Sequence, residues 1–371
     1  MPAISMLIKP ASSLCNLRCG YCFYHDEAVK RASQSYGIMS RETLENIVKK
    51  TFETASGSIT FAFQGGEPTL AGIDFYLYLF ELCGFYNAEK KIAVNYTLQT
   101  NGVLPSEDEC WAEMFGRHKF LIGLSVDGTK DIHDGARVDA DGVGSYKYIT
   151  GAVRNFKKHG VEFNILTVVN AVTAKNIVKI YKFYKSQGWR HIQFIPCLDP
   201  LGEQPFTREK SLTPQRYLFF LKNLFDLWYG DAVNGDYVSV RQFDNLTGMF
   251  AGFAPESCGM LGRCAIQFVI EADGGVYPCD FYALDDYLLG NINERDIGFK
   301  EISESGRARE FIQSSFARGV NCAACKWRSV CRGGCARYKR NGEYIYCGET
   351  REFFDYAGER FIKLSKMIQQ R

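Results

Sequence analysis

The chain has 371 residues, 46% of them hydrophobic, and a formal net charge of +2. That length fits two domains or one enlarged α/β domain, and the near-neutral charge excludes a field for nucleic acid or a membrane surface. No apolar run approaches the ~20 residues of a membrane span and no signal peptide precedes Cys15, so a cytoplasmic location is expected, where fourteen cysteines point to metal or cluster ligation and not to disulfides.

Roughly the first 200 residues alternate strand-like and helix-like segments, which predicts a parallel sheet with crossover helices. The run ISMLIKP reads as the first strand. Further strands are expected at 59–64, 93–100, 120–127, 162–169 and 191–196. Between them helices are expected from Ser40, as a cap, to about Ala55, and at about 73–86, 106–117, 145–159 and 174–187. Gly160 and Gly188 stand where helices stop. Six strands suggest a curved, partly open (β/α)6 barrel, whose sites gather at the carboxyl ends of the strands.

The unusual residues fall at those ends. After the first strand comes CNLRCGYC, with Cys15, Cys19 and Cys22 spaced C-x3-C-x2-C, followed by Tyr24. Soft thiolates at that spacing select an iron–sulfur cluster or zinc. Structural zinc closes with four ligands, whereas a cubane held by three cysteines leaves one iron open. The second strand ends in QGGEP, where Gly65 and Gly66 permit close backbone approach, Glu67 adds a carboxylate and Pro68 fixes the exit. The third ends in QTNG, which reads as a turn, and the fourth in SVDG, followed by His133 and Arg137. The sixth runs into PCLDP, where Cys197, like Cys83 and Cys110, reads as a small buried hydrophobe. Residues 199–213 look like a linker or lid, and a helix near 214–229, apolar on more than one face, is expected to be buried between domains.

A second cysteine field begins at Cys258. Cys258 and Cys264 are spaced C-x5-C, Cys279 stands alone, Cys322, Cys325, Cys331 and Cys335 form C-x2-C-x5-C-x3-C, and Cys347 ends the series. Eight thiolates suit two fully ligated clusters or two zinc sites. IQFVIEADGGVYPC reads as a β-hairpin turning at Asp273–Gly275, a rigid support for Cys279 and Asp280.

The first cysteine run resembles the signature of the radical S-adenosylmethionine (radical SAM) enzymes. The resemblance implies that SAM chelates the open iron and is cleaved to methionine and a 5′-deoxyadenosyl radical. It implies that the motif with Gly65, Gly66 and Glu67 holds the SAM amino group, that Ser125 and Arg137 grip ribose and carboxylate, and that backbone near Leu198 meets adenine. The second field resembles the SPASM domain of radical SAM enzymes that modify peptides and proteins, with two auxiliary 4Fe–4S clusters. Carried over, Cys258, Cys264, Cys279 and Cys335 would hold one, and Cys322, Cys325, Cys331 and Cys347 the other. Spacing leaves a pair of local sites open as the alternative. Residues 1–235 would form the barrel and 236–371 the SPASM domain with a C-terminal helix.

Within that superfamily the chain is similar to the anaerobic sulfatase-maturating enzymes along nearly its whole length, through KPASSLCNLRCGYCFY, FAFQGGEPTLAG, TLQTNG, VEFNILTVV, FLKNLFDLWY and VYPCDFY. The resemblance implies oxidation of a sulfatase cysteine or serine, in a C/S-x-P/A-x-R motif, to Cα-formylglycine. Asp280 would be the base, Tyr24 and Gln64 would orient the peptide, an auxiliary cluster would take the second electron, and flavodoxin or ferredoxin would be the external reductant. The alternatives are a SPASM-type enzyme forming a thioether or carbon–carbon crosslink, and a non-catalytic iron–sulfur electron carrier. Crosslinking enzymes often carry an N-terminal peptide-binding domain, for which a cluster loop starting at residue 15 leaves no room. An electron carrier does not account for GGEP, Ser125 or Arg137.

Overall fold

The computed structural model describes residues 3–319 and 322–369. In chain order the first ten strands are β1 (Ile4–Ile8), β2 (Ile59–Phe63), β3 (Val94–Thr100), β4 (Leu121–Ser125), β5 (Glu162–Val169), β6 (His191–Pro196), β7 (Ser239–Val240), β8 (Val269–Ile270), β9 (Gly275–Tyr277) and β10 (Gly290–Asn291). The chain divides into two compact units. One comprises the chain up to Ser125 with Asp134–Phe163 and Ala265–Phe311; the other comprises Val126–His133, Asn164–Cys264 and the chain from Ile312 on.

In the first unit β1 pairs in parallel with β2, β2 with β3 and β3 with β4, with Ile4 opposite Ile59 and Phe61 opposite Tyr96. Ile4, Met6 and Ile8 of β1 and Ile59, Phe61 and Phe63 of β2 are buried, the two-residue period of strands with a covered face. The other edge of β1 is taken by β8, also parallel, with Leu7 opposite Val269. From there the chain turns back antiparallel through β9 and β10. The β8–β9 turn closes with Glu271 N–H donating to the Gly275 carbonyl, and Gly274 takes φ +87. The hairpin turn is thus where the sequence predicts it.

Two helices fill the β1–β2 connection, α1 (Phe23–Val29) and α2 (Arg41–Thr54). Ser40 caps α2 by accepting from Thr43 N–H, and Leu44, Ile47, Val48 and Phe52 form its buried stripe. The helix predicted at 106–117 is instead two, Val103–Glu107 and Cys110–Arg117. Asp108 causes the break: its carboxylate accepts from Cys110 N–H and restarts the chain as a new helix. Cys110 sits at that start and is exposed, which corrects its expected burial; Cys83 is buried.

In the second unit β5 pairs in parallel with β6 and β6 with β7. The helix predicted at 174–187 is also split, into Ala171–Lys175, capped by Asn170, and Ile177–Ser186. The long helix Pro214–Val233 buries Phe220, Leu221, Leu224, Phe225 and Trp228. Helix Cys347–Gln369 covers that face, with Phe361 4.7 Å from Phe225 and 6.1 Å from Trp228 between ring centroids. Residues 199–213 form a closed loop and not an extended linker, because Asp199 accepts from Phe206 N–H and from the Ser211 hydroxyl. No helix among the described residues is long and apolar enough to cross a membrane.

Candidate active site and cluster ligands

Cys15, Cys19 and Cys22 lie on the loop between β1 and α1, all partly exposed, and none of the fourteen cysteines is in a disulfide. The loop is pinned by backbone: Arg18 N–H donates to the Val138 carbonyl at 2.6 Å and Gly20 N–H to that of Ala136 at 3.1 Å. The QGGEP turn packs on the residues just before Cys15. Gly66 N–H donates to the Ser12 carbonyl and Glu67 N–H to that of Leu14. A Cβ on Gly66 would stand 2.0 Å from the Leu14 oxygen, and one on Gly65 2.9 Å from the Ser12 oxygen. The close approach that these glycines permit is therefore first of all to the cysteine loop itself.

Glu67 is buried and fastens this turn to the end of β3. Its Oε1 accepts from Thr69 N–H (3.2 Å), the Thr69 hydroxyl (2.6 Å) and the Thr100 hydroxyl (2.8 Å), and its Oε2 from Asn101 N–H (2.8 Å). Burial still holds its pKa above the ordinary carboxylate value. The Asn101 amide donates to Asn16 Oδ1 at 2.7 Å and to the Cys15 sulfur at 3.8 Å. QTNG thus does more than turn the chain: it braces the cysteine loop, a role without a local sequence signal.

Tyr24, Gln64 and Asp280 meet at one point. The Tyr24 hydroxyl donates to Asp280 Oδ2 at 2.7 Å and lies 3.2 Å from Gln64 Oε1. Behind them is a buried charge cluster that the sequence reading missed. Lys9 Nζ lies 3.6 Å from Asp280 Oδ1, 3.4 Å from Glu271 Oε1 and 3.8 Å from Glu27 Oε2, and Arg31 pairs with Glu271 at 2.5 Å. The Lys9 ammonium also stands 4.8 Å from the centre of the Tyr24 ring. Burial works to lower the Lys9 pKa, but the three carboxylates outweigh it and hold the ammonium charged. Burial raises the Asp280 pKa, opposed by Lys9 and Tyr24. Glu27 is pushed up to about 8 by burial. A lysine closing β1 and a glutamate inside the apolar run VIEA were the only traces of this cluster in the sequence.

Arg137 is buried, its guanidinium 5.5 Å from the centre of the Tyr21 ring, and its charge acts on the Cys22 thiol. Ser125 ends β4 in the same unit. Leu198 follows β6 in the second unit, its carbonyl accepting from the Cys197 thiol at 3.6 Å. Cys197 is partly exposed, which corrects its expected burial, although desolvation still pushes that thiol up to about 12. Asp127 accepts from Val168 N–H and His133 Nδ1 accepts from Asp127 N–H, so both brace the turn after β4.

The second cysteine field divides into groups. Cys322, Cys325, Cys331 and Cys347 line one cavity of about 440 Å³, together with Arg318, Lys326, Arg328 and Arg351. Cys258, Cys264 and Cys335 are mutual neighbours whose charges act on one another. Cys279 stands on the first unit, one residue before Asp280. The donor set fits iron–sulfur clusters: four soft ligands and four cations against one carboxylate, Glu343, around one cavity suit an anionic cubane, and three ligands at the first loop leave an iron vertex open. Burial pushes Cys15 up to about 12 and Cys331 to about 11, so these sulfurs become thiolates in the presence of metal.

The comparisons agree with this geometry. Residues 10–184 match the radical SAM superfamily and residues 258–326 the SPASM iron-sulfur cluster-binding domain. The fold is accordingly an α/β partial (β/α)6 radical SAM barrel joined to a SPASM domain, and its cofactors are S-adenosylmethionine and 4Fe–4S clusters. The chain is 48% identical to the cysteine-type anaerobic sulfatase-maturating enzyme of Clostridium perfringens (strain 13 / Type A) over 100% of both chains. It is 28% identical to the serine-type enzyme of Bacteroides thetaiotaomicron, over 98% of this chain and 92% of that one. The solved structure of native anSMEcpe with bound AdoMet and Cp18Cys peptide superposes with a TM-score of 0.93 at 47% identity, covering 99% of this chain and 100% of that one. The chain belongs to the family of the anaerobic sulfatase-maturating enzymes.

Proposed function

We propose that this enzyme oxidises a cysteine in a C-x-P/A-x-R motif of a sulfatase polypeptide to Cα-formylglycine, with Asp280 as the base. The observation that carries the role of Asp280 is the Tyr24–Asp280 hydrogen bond with Gln64 beside it. Identity of 48% to a cysteine-type relative against 28% to a serine-type one supports cysteine over serine. Residues 1–235 are the barrel and 236–371 the SPASM domain in this reading. The protein works in the cytoplasm, where cysteines outside disulfides are kept reduced and available to clusters, and draws electrons from a flavodoxin or ferredoxin.

Cys15, Cys19 and Cys22 would hold the SAM-binding cluster. Cys258, Cys264, Cys279 and Cys335 would hold one auxiliary cluster, and Cys322, Cys325, Cys331 and Cys347 the other. SAM would rest on Gly65, Gly66, Glu67, Ser125, Arg137 and the backbone of Leu198. Bound there, SAM and the clusters supply a radical that takes hydrogen from the substrate Cβ and an acceptor for the second electron. The protein's own part is positional and protic. Gln64 and Tyr24 orient the peptide, and the Asp280 carboxylate takes the thiol proton while Tyr24 fixes its free rotation. The substrate thioaldehyde then reacts with water to give aldehyde and sulfide.

The test is Asp280→Asn under anaerobic conditions with reductant, SAM and peptides carrying C-x-P-x-R or S-x-P-x-R. The variant should keep its iron and still release 5′-deoxyadenosine, yet form no aldehyde by mass spectrometry. Undiminished aldehyde formation would remove Asp280 from the mechanism.

A further inference from the structure

We infer that Lys9 is a positioning residue for the reaction: its buried ammonium holds the Asp280 carboxylate and the Tyr24 ring in register for proton removal. This inference rests on the reading of Asp280 as the base. Asp280 Oδ1 is buried and accepts no hydrogen bond of ordinary length; what faces it is Lys9 Nζ, 3.6 Å away. Oδ2 accepts from Tyr24. Each carboxylate oxygen is thus held by a different group, and Lys9 reaches both arms, since the same ammonium stands over the Tyr24 ring.

Lys9 is itself fixed. Its residual exposure is 2%, its backbone N–H donates to the Ile270 carbonyl, and Glu271, locked by Arg31, sits 3.4 Å from its ammonium. Gly65 packs on its stem, where a Cβ would come within 3.1 Å of Lys9 Cβ. One side chain therefore ties three parts of the first unit together: the strand that enters the cysteine loop, the glycine turn after β2, and the hairpin that carries Asp280. A flexible, hydrated ammonium seldom accepts such confinement. Here the confinement sets the direction of a carboxylate, and an error of about 1 Å in a reacting group lowers rates about a hundredfold.

The obvious variant, Lys9→Met, leaves three buried carboxyls facing Arg31 alone and endangers the fold. The double variant Lys9→Met/Glu27→Gln avoids this above the Glu27 value of about 8, where two cations against three carboxylates becomes one against two and the charge of the cluster is kept, and the comparison is run there. Glu27 accepts no hydrogen bond at either carboxyl oxygen, so its replacement breaks none. The double variant is compared anaerobically with wild type, Glu27→Gln and Asp280→Asn for iron content, thermal unfolding, peptide Kd by fluorescence anisotropy, 5′-deoxyadenosine release and aldehyde formation. Wild-type iron, unfolding temperature and peptide Kd are expected, with 5′-deoxyadenosine still released and kcat for aldehyde about a hundredfold below that of Glu27→Gln. A kcat equal to that of Glu27→Gln would overturn the inference, and so would a loss explained by weaker peptide binding or unfolding. If Asp280→Asn itself keeps full aldehyde formation, the base assignment fails first; if it loses activity and the double variant does not, only the role of Lys9 falls.

Discussion

The Tyr24 hydroxyl donates to Asp280 Oδ2 over 2.7 Å although 256 positions separate the two residues in the chain. One comes from the helix that follows the first cysteine loop, the other from the turn after the β8–β9 hairpin. Replacing Tyr24 by Phe keeps the ring and deletes the donor. A hydrogen bond to a charged acceptor contributes about 1.5–3 kcal/mol, so aldehyde formation should fall roughly ten- to a hundredfold. Release of 5′-deoxyadenosine should continue. Parallel quantification of both products in single-turnover runs checks this, and an equal fall in both would show that Tyr24 serves SAM and not the base.

Gly66→Ala should damage the first cluster selectively. Its Cβ would fall 2.0 Å from the Leu14 carbonyl oxygen, so the backbone entering Cys15 must move. On the proposed ligand assignment, iron at Cys15, Cys19 and Cys22 should be lost while iron of the second cysteine field remains. Iron content and electron paramagnetic resonance with and without SAM are the readouts; a SAM-perturbed signal of wild-type strength would contradict the prediction.

Glu27 sets a pH dependence of stability. Burial raises its folded pKa from 4.5 to about 8. Below pH 4.5 the group is protonated in both states and its contribution is fully favourable. As pH rises from 4.5 to about 8 the unfolded chain ionises first, so stability declines across that window and levels off above it. Glu27→Gln should flatten this decline, giving a higher unfolding temperature than wild type at pH 8 and a shrinking difference toward pH 5. Parallel shifts of both proteins at every pH in anaerobic melts would refute the assignment.

What could be read in the sequence was mostly local. Strands β2, β3, β5 and β6 stand within a residue or so of their expected ends because a two-residue period fixes which face is covered. The cysteine loop and GGEP were legible since the chemistry fixes spacing over a few residues, whereas Asp280 was singled out through the family resemblance and its place beside Cys279. Two helix breaks were missed: Asp108 accepts from the Cys110 N–H and overrides an apolar period, and Asn170 caps a separate first turn that ends at Asn176. The charge cluster of Lys9, Glu27, Arg31 and Glu271 was missed for a different reason. Each residue looks solvated by type, and only pairing across some 260 residues makes its burial tolerable.

The two-sided pairing of β1 has a consequence for biosynthesis. The strand is made long before its partner β8, and one of its edges is sealed only when Val269 and Ile270 have been made. Throughout most of translation that edge stays available to other chains. A nascent polypeptide stalled before Val269 should therefore bind chaperones that capture bare strands, and release them once the hairpin has emerged.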